Sequence, residues 1–468
     1  MRLILLQIFI VFKIWGAKFL FLRIFLSFIF IGAAGCSPNL PLPFKTTTQT
    51  TKLQNQEVKS NENIKKSIEK QTNVDFRLQK ILSSPALIAS QKNIEAAQQT
   101  VLIVESQTEP VITAISNLGP KLDNEDLELE ATGGLSLTRL ISDGGAVNAM
   151  TGSANLNVEA SKLLYKQNIN NALMEVIKAE QAILNFIKIE DIYNEQLKVY
   201  NDNLPLIQTA ANANIISKTD VLKLEQIKLK SEESYLTAKN GADAAKLVRK
   251  KYNLNKNQDF FKIDLENWRK IEQLLSTNNL LNLQLIKKQI DIIEKDIEAI
   301  EASYSANIAM AGTATANVTD IDNSLGFLGL NISLPVKDGG KRDFQIQEKT
   351  IQIAALKKQI EEISLVQMTS FTALQNFQMI FQKRYLLILN QIDNAKTISD
   401  DIELKLRAGA ASVIDLASEK MNFYDLRSQK IALEYQNINE IINFYQALGH
   451  QCDLVNLCDQ INFAANLK

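Results

Sequence analysis

The chain has 468 residues, with 51 basic side chains against 52 acidic ones and a net charge of −1. That is length for two or more ordinary domains, and the even balance excludes a global basic footprint for nucleic acid. A single histidine, His450, leaves little room for histidine-based catalysis or zinc chemistry. With no nucleophile–base–acid set or ligand cluster in view, no enzymatic activity and no cofactor are expected.

Residues 1–35 read as an export signal. Lys13, Lys18 and Arg23 precede the apolar run IFLSFIFIG, which ends in Ala33-Ala34-Gly35-Cys36. Small residues directly before a cysteine resemble a bacterial lipobox, where cleavage leaves Cys36 as a lipidated N-terminus; leucine is preferred at the position of Ala33. The alternative is an ordinary signal peptide or a membrane anchor helix, because apolar character reaches back to residue 3. The charges at 13, 18 and 23 break that stretch into short pieces. Ser37, standing where an aspartate retains lipoproteins at the inner membrane, implies the outer membrane by the same resemblance.

Residues 36–75 are polar and threonine-rich, and read as a tether. Helical character follows over about 83–108. A strand starts at Pro110 (PVITAISN), and after a polar loop comes GGLSLTRLI, with Leu135, Leu137 and Ile141 on one face. Arg139 departs from that face and must snorkel or sit near a membrane surface. Asp143-Gly144-Gly145 closes the strand, the aspartate suiting a helix N-cap and the glycines an abrupt turn. Two glycines lack the spacing of a phosphate-binding loop.

A helix of about 65 residues follows, roughly 100 Å long, with Leu173, Val176, Ile183 and Ile187 in a heptad-like stripe. It ends near Asn214. Ser217 and Asp220 form the Ser-x-x-Asp of a capping box that opens a return helix. The same order then recurs: helix at about 279–303, strands YSANIAMAGTATAN and LGLNISLPV, Asp338-Gly339-Gly340, and a long helix with Ile346, Ile353, Leu356, Ile360 and Ile363 in its stripe. The turn Gly409…Ser412-x-x-Asp415 and a second return helix complete it. Asp143 to Asp338 and Ser217 to Ser412 are both 195 positions, which argues for an internal duplication, with repeats at 76–271 and 272–450 and a tail at 451–468. In an oxidising compartment Cys452 and Cys458 can close a small disulfide loop in that tail; two unpaired thiols are the alternative.

Strands with one apolar and one small, polar face suit a barrel between lipid and water. Four strands cannot close around a wide lumen, and open edges in a bilayer are prohibitive. The chain must therefore oligomerise if these strands span a membrane; otherwise they form a small soluble β-domain carried on coiled-coil helices.

Helix, strand pair, Asp-Gly-Gly, long helix, Gly-x-x-Ser-x-x-Asp-Leu turn and return helix, all twice, resemble the TolC family of outer-membrane channels over residues 76 to 450. The stretch from Arg407 to Leu448-Gly449 is the most characteristic. The resemblance implies a mainly α fold with a small β part. In it, a homotrimer builds a twelve-stranded barrel in the outer membrane and its long coiled-coil helices form a periplasmic α-barrel. Such channels are passive exit ducts for tripartite efflux or type I secretion, working with a periplasmic adaptor and an inner-membrane transporter. Asn214 to Ser217 and Gly409 to Ser412 correspond to the tips where adaptors dock, and the second-half hairpin to the part that moves on opening. Asp415 matches a position that rings the entrance with acid. The family's second gate aspartate and its arginine are replaced by Ser418 and Ala411, which puts a salt-bridged closed gate in doubt. The rival reading is a periplasmic coiled-coil adaptor or scaffold.

Overall fold

A computed structural model describes residues 74–123, 126–255, 260–263, 280–317 and 325–466. Cys36, the export signal, nearly all of the tether and the 271/272 repeat boundary lie outside the described residues. The described part belongs to one compact unit from Asn73 onward.

Two short helices open it, α1 (Phe76–Leu82) and α2 (Pro85–Glu105), so the helix expected from about 83 is preceded by another. Ser84 and Pro85 explain the break, since Pro is tolerated at N1 but not inside a helix. The strands β1 (Val111–Asp123) and β2 (Asp126–Ser142) follow, then α3 (Ala146–Asn212) and α4 (Lys218–Lys251). The second half runs α5 (Leu281–Ser303), β3 (Asn307–Asn317), β4 (Leu325–Ser333), α6 (Lys341–Arg407) and α7 (Val413–Leu448). α3 and α6 each hold 67 residues, about 100 Å of helix. α3 continues through Pro205, and Thr209 Oγ1 donates to the Pro205 carbonyl at 2.8 Å.

The helical stripes are real packing seams. Ile169, Leu173, Val176, Glu180 and Ile183 are all buried, at steps of four and three along α3. This seam meets Leu78 and Ile81 of α1, Leu87 and Ile94 of α2, Leu283 of α5 and Tyr445 and Leu448 of α7 in one core. By contrast α6 packs mainly on α5 and α7. Its stripe from Ile346 to Ile363 is half-buried, and Ile351, Met368, Met379 and Leu387 are exposed. The C-terminal residues are folded: a 3-10 turn (Gln451–Val455) and α8 (Cys458–Asn466) put Leu454, Ile461 and Ala465 into the core.

The four strands form one antiparallel sheet in the order β1-β2-β3-β4. Pairing register sorts the residues by face, because directly opposed residues share a side. Ile112, Ala114 and Leu118 stand beside Ala131, Leu135 and Leu137; these continue through Ala314, Gly312 and Met310 to Leu328 and Leu330, with Ile308 opposite Ile332. The other face holds Thr113, Asn117, Thr132, Ser136, Thr138, Thr313, Thr315, Asn331 and Ser333, interspersed with Val111, Ile115, Leu140 and Phe327. Leu118, Leu135, Leu328, Leu330 and Ile332 are all more than half exposed in the single chain.

Three strand-level expectations need correction. β4 stops at Ser333, short of Val336, because Pro335 has no N–H to give a ladder. Ile141 is not on the regular apolar register: a bulge between Leu140 and Ser142 leaves it unpaired. The N-cap positions of α3 and α6 are Gly145 and Gly340, not the aspartates two residues earlier. Arg139 sits opposite Met310, on the apolar side and three residues from the strand end.

Candidate functional site

The hairpins α3–α4 and α6–α7 reverse by the same chemistry. Asn214 (φ 57°) and Gly409 (φ 73°) take left-handed backbone just past each long helix. Ile215 N then donates to Ala210 O at 2.9 Å and Ala410 N to Lys405 O at 2.8 Å, closing the orphan carbonyls of the last turn. Ser217 Oγ accepts from Asp220 N at 3.1 Å while Asp220 Oδ2 accepts from Ser217 N at 3.3 Å. Ser412 and Asp415 repeat this at 3.0 and 3.1 Å, and the Ser412 hydroxyl also donates to Asp415 Oδ2 at 2.7 Å. The Ser412 hydroxyl and amide together hold the exposed Asp415 carboxyl below the usual carboxylate range. It is a charged group at neutral pH.

Both turns lie at one end of the molecule. Ile207 and Leu224 of the first hairpin and Leu406, Val413 and Leu416 of the second wall a common apolar cavity of about 110 Å³. Away from the turns the hairpins are tied by Arg427–Glu195 at 2.6 Å, Lys230–Asp425 at 3.7 Å and Lys188–Glu434 at 4.0 Å. These pairs are partly exposed, so each contributes about 1 kcal/mol or less. Ser418 is exposed on α7 and Ala411 half-buried in the turn.

At the opposite end of the long helices the two Asp-Gly-Gly turns are near copies. Asp143 accepts from Gly145 N at 3.0 Å and Val147 N at 2.6 Å; Asp338 accepts from Gly340 N at 2.9 Å and Arg342 N at 2.8 Å. Each carboxylate fills the place an anion would take at a helix N-terminus. Gly144 and Gly145 have φ of 70° and 98°, Gly339 and Gly340 of 71° and 85°. Their surroundings differ. A Cβ on Gly144 would lie 2.3 Å from Ser305 Cβ, whereas one on Gly339 meets open space.

Midway along the helices is a feature the sequence reading passed over. Glu180 of α3 and Arg249 of α4 form a fully buried ion pair at 3.2 Å. Glu180 Oε2 accepts from Phe261 N at 2.8 Å, and the Arg249 guanidinium lies 4.4 Å from the Phe260 ring. Burial outweighs these partners and raises the Glu180 carboxyl from 4.5 to about 7. Arg77 Nη1 donates to Phe260 O at 2.8 Å and Asp75 N to Gln460 Oε1 at 2.8 Å, so the same knot gathers α1, α8 and residues 260–263. The signal was present: Glu180 occupies the seam position between Val176 and Ile183. Nearby, Cys452 and Cys458 form a disulfide.

Among the described residues no helix is long and apolar enough to cross a membrane. No protein-family sequence model matches the chain, and no curated protein matches it in sequence. Solved structures do. The outer membrane protein VceC from Vibrio cholerae superposes with a TM-score of 0.66 at 11% identity, over 80% of this chain and 95% of that one. The CmeC outer membrane channel of Campylobacter jejuni gives 0.66 at 13%, over 89% and 94%. The open state of the MtrE outer membrane channel of Neisseria gonorrhoeae gives 0.64 at 14%, over 80% and 89%. At such identities the likeness is one of fold, and the fold is that of the TolC-type outer-membrane channels.

Proposed function

We propose that this chain, built on the TolC-type channel fold, is one protomer of a passive homotrimeric exit duct in the outer membrane of a Gram-negative bacterium. The two-faced open sheet carries this reading. One side carries exposed apolar side chains on β1, β2 and β4 (Ile112, Leu118, Leu135, Leu328, Leu330 and Ile332), while the other mixes Thr, Ser and Asn with Val111, Ile115, Leu140 and Phe327. A soluble β-domain would bury such a face, and in lipid the free edges of β1 and β4 would each leave backbone groups costing several kcal/mol. Three copies, edge to edge, remove both problems with a twelve-stranded barrel. The same argument disfavours the coiled-coil adaptor as the chain's role.

In this reading the long helices build a periplasmic tunnel, with Cys36 lipidated to hold the N-terminus at the membrane. The tips at Asn214–Ser217 and Gly409–Ser412 receive a periplasmic adaptor, and an inner-membrane transporter supplies the energy for efflux or type I secretion. Three copies of Asp415 face the entrance. Mutual repulsion would raise their carboxyls against the lowering by Ser412, and the ring would favour cations. With Ser418 and Ala411 beside it, closure relies on packing of the α6–α7 hairpin against its neighbours, since α6 leaves Ile351, Leu365, Met368, Met379, Leu386 and Leu387 exposed in the single chain. Single-channel recording of purified protein in a planar bilayer tests this. Discrete cation-preferring conductance is expected, with Asp415→Asn reducing both the preference and block by multivalent cations; absence of conductance from trimeric protein refutes the channel.

A further inference from the structure

Two adjoining cavities lie between α3, α5 and the C-terminal segment, of about 210 and 340 Å³, and Lys166 lines both. The inner one is walled by Lys166, Asn170, Gly449, His450 and the Cys452–Cys458 disulfide. The outer one takes Lys162, Lys166, Lys287, Lys288 and Glu159. Four lysines against one glutamate leave three positive charges in excess over the two linings. Lys288 is occupied, at 2.7 Å from Glu159 and 3.6 Å from Asp291. Among the described residues no carboxylate pairs with Lys162, Lys166 or Lys287. Lys166 is half-buried, and burial lowers its pKa with no acid to offset the loss of water.

The second observation is independent of charge. Asn170, one helical turn from Lys166 and on the same face, is only 4% exposed, and its Oδ1 has no hydrogen-bond partner among the described residues. Buried carbonyl oxygens are ordinarily satisfied. A ligand that suits the cleft must therefore bring anionic oxygens to the lysines and a hydrogen-bond donor to Asn170.

We propose that this cleft binds phosphate carrying a hydroxyl, with Lys166 and Lys162 taking the anionic oxygens, Lys287 at the rim, and the ligand O–H donating to Asn170 Oδ1. Inorganic phosphate keeps such a proton at neutral pH, and a phosphate ester with a free hydroxyl brings its own. Sulfate has the charge and shape but no donor, so the acceptor at Asn170 excludes it. The proposal does not depend on the chain being a channel.

Titration calorimetry of the full, assembled protein at neutral pH with inorganic phosphate, glycerol 3-phosphate and sulfate tests it. Saturable phosphate binding about tenfold or more tighter than sulfate is expected, the difference one buried hydrogen bond makes. Lys166→Gln should weaken phosphate about tenfold, as loss of a charge-assisted contact does. Asn170→Leu should bring phosphate down to the level of sulfate. Lys287→Gln, an exposed change that leaves the fold intact, should weaken both anions a few-fold and keep the preference. Tighter binding of glycerol 3-phosphate than of inorganic phosphate would identify an ester as the ligand, and the reverse the free ion. No saturable binding of either by folded protein, or equal binding of sulfate, overturns the proposal.

Discussion

The buried Glu180–Arg249 pair makes a pH prediction whose sign is opposite to that of ordinary acid denaturation. Folding raises the Glu180 carboxyl from 4.5 to about 7, so the folded chain holds this proton more tightly than the unfolded one. Its contribution favours the fold fully below pH 4.5 and is lost as pH rises through 7. That rise corresponds to about 3 kcal/mol, or about a hundredfold in an opening equilibrium. Phe261 N, which donates to Glu180 at 2.8 Å, reports it directly. Hydrogen exchange at Phe261, corrected for intrinsic rates, should lose about a hundredfold in protection between pH 5 and pH 8. In Glu180→Gln, whose amide oxygen can still accept from Phe261, the slope should vanish. Asp75 nearby is lowered by its bonds to Arg77, so its contribution is lost only as pH falls below about 4, outside the window. Protection that rises with pH, or an equal slope in Glu180→Gln, would refute the assignment.

Gly144→Ala should abolish folded protein, because its Cβ meets Ser305 at 2.3 Å as well as an unfavourable φ, whereas Gly339→Ala in the single chain meets strain alone, about 1 kcal/mol; thermal melting of the two variants separates these. Ser412→Ala should remove the side-chain half of the second capping box, leaving the bond from the backbone N–H of residue 412 to Asp415, at a cost of about 1 kcal/mol, read as faster exchange in the first turn of α7. Replacing Cys452 and Cys458 by serine opens a short loop worth about 2 kcal/mol, and should expose α8 to limited proteolysis while the hairpins keep their helicity.

Much of the fold is legible in the sequence because its signals are local. Alternation marks LGLNIS as a strand, steps of three and four mark the α3 seam, and Ser217, Asp220, Ser412 and Asp415 announce the helix starts they occupy. The 195-residue offset between the two Asp-Gly-Gly turns and between the two capping boxes is matched by helices of equal length. What escaped depends on partners distant in sequence. The bulge at Ile141 arises from counting residues on β3, which β2 does not encode. Glu180 stands on the α3 seam, but nothing near it in sequence names Arg249, Phe260 and Phe261 as the groups that close over it. Asn170 and Lys166 become a candidate site only when α5 and the C-terminal turn form the other walls.

The free edges of β1 and β4 have a consequence for dosage. In the proposed assembly a protomer cannot complete its own share of the membrane wall, so folding there and meeting two other copies are a single event. The supply of working ducts then varies with the cube of the competent fraction. A chain with a damaged edge spoils every assembly it joins, and would act dominantly in a cell that also makes the intact protein.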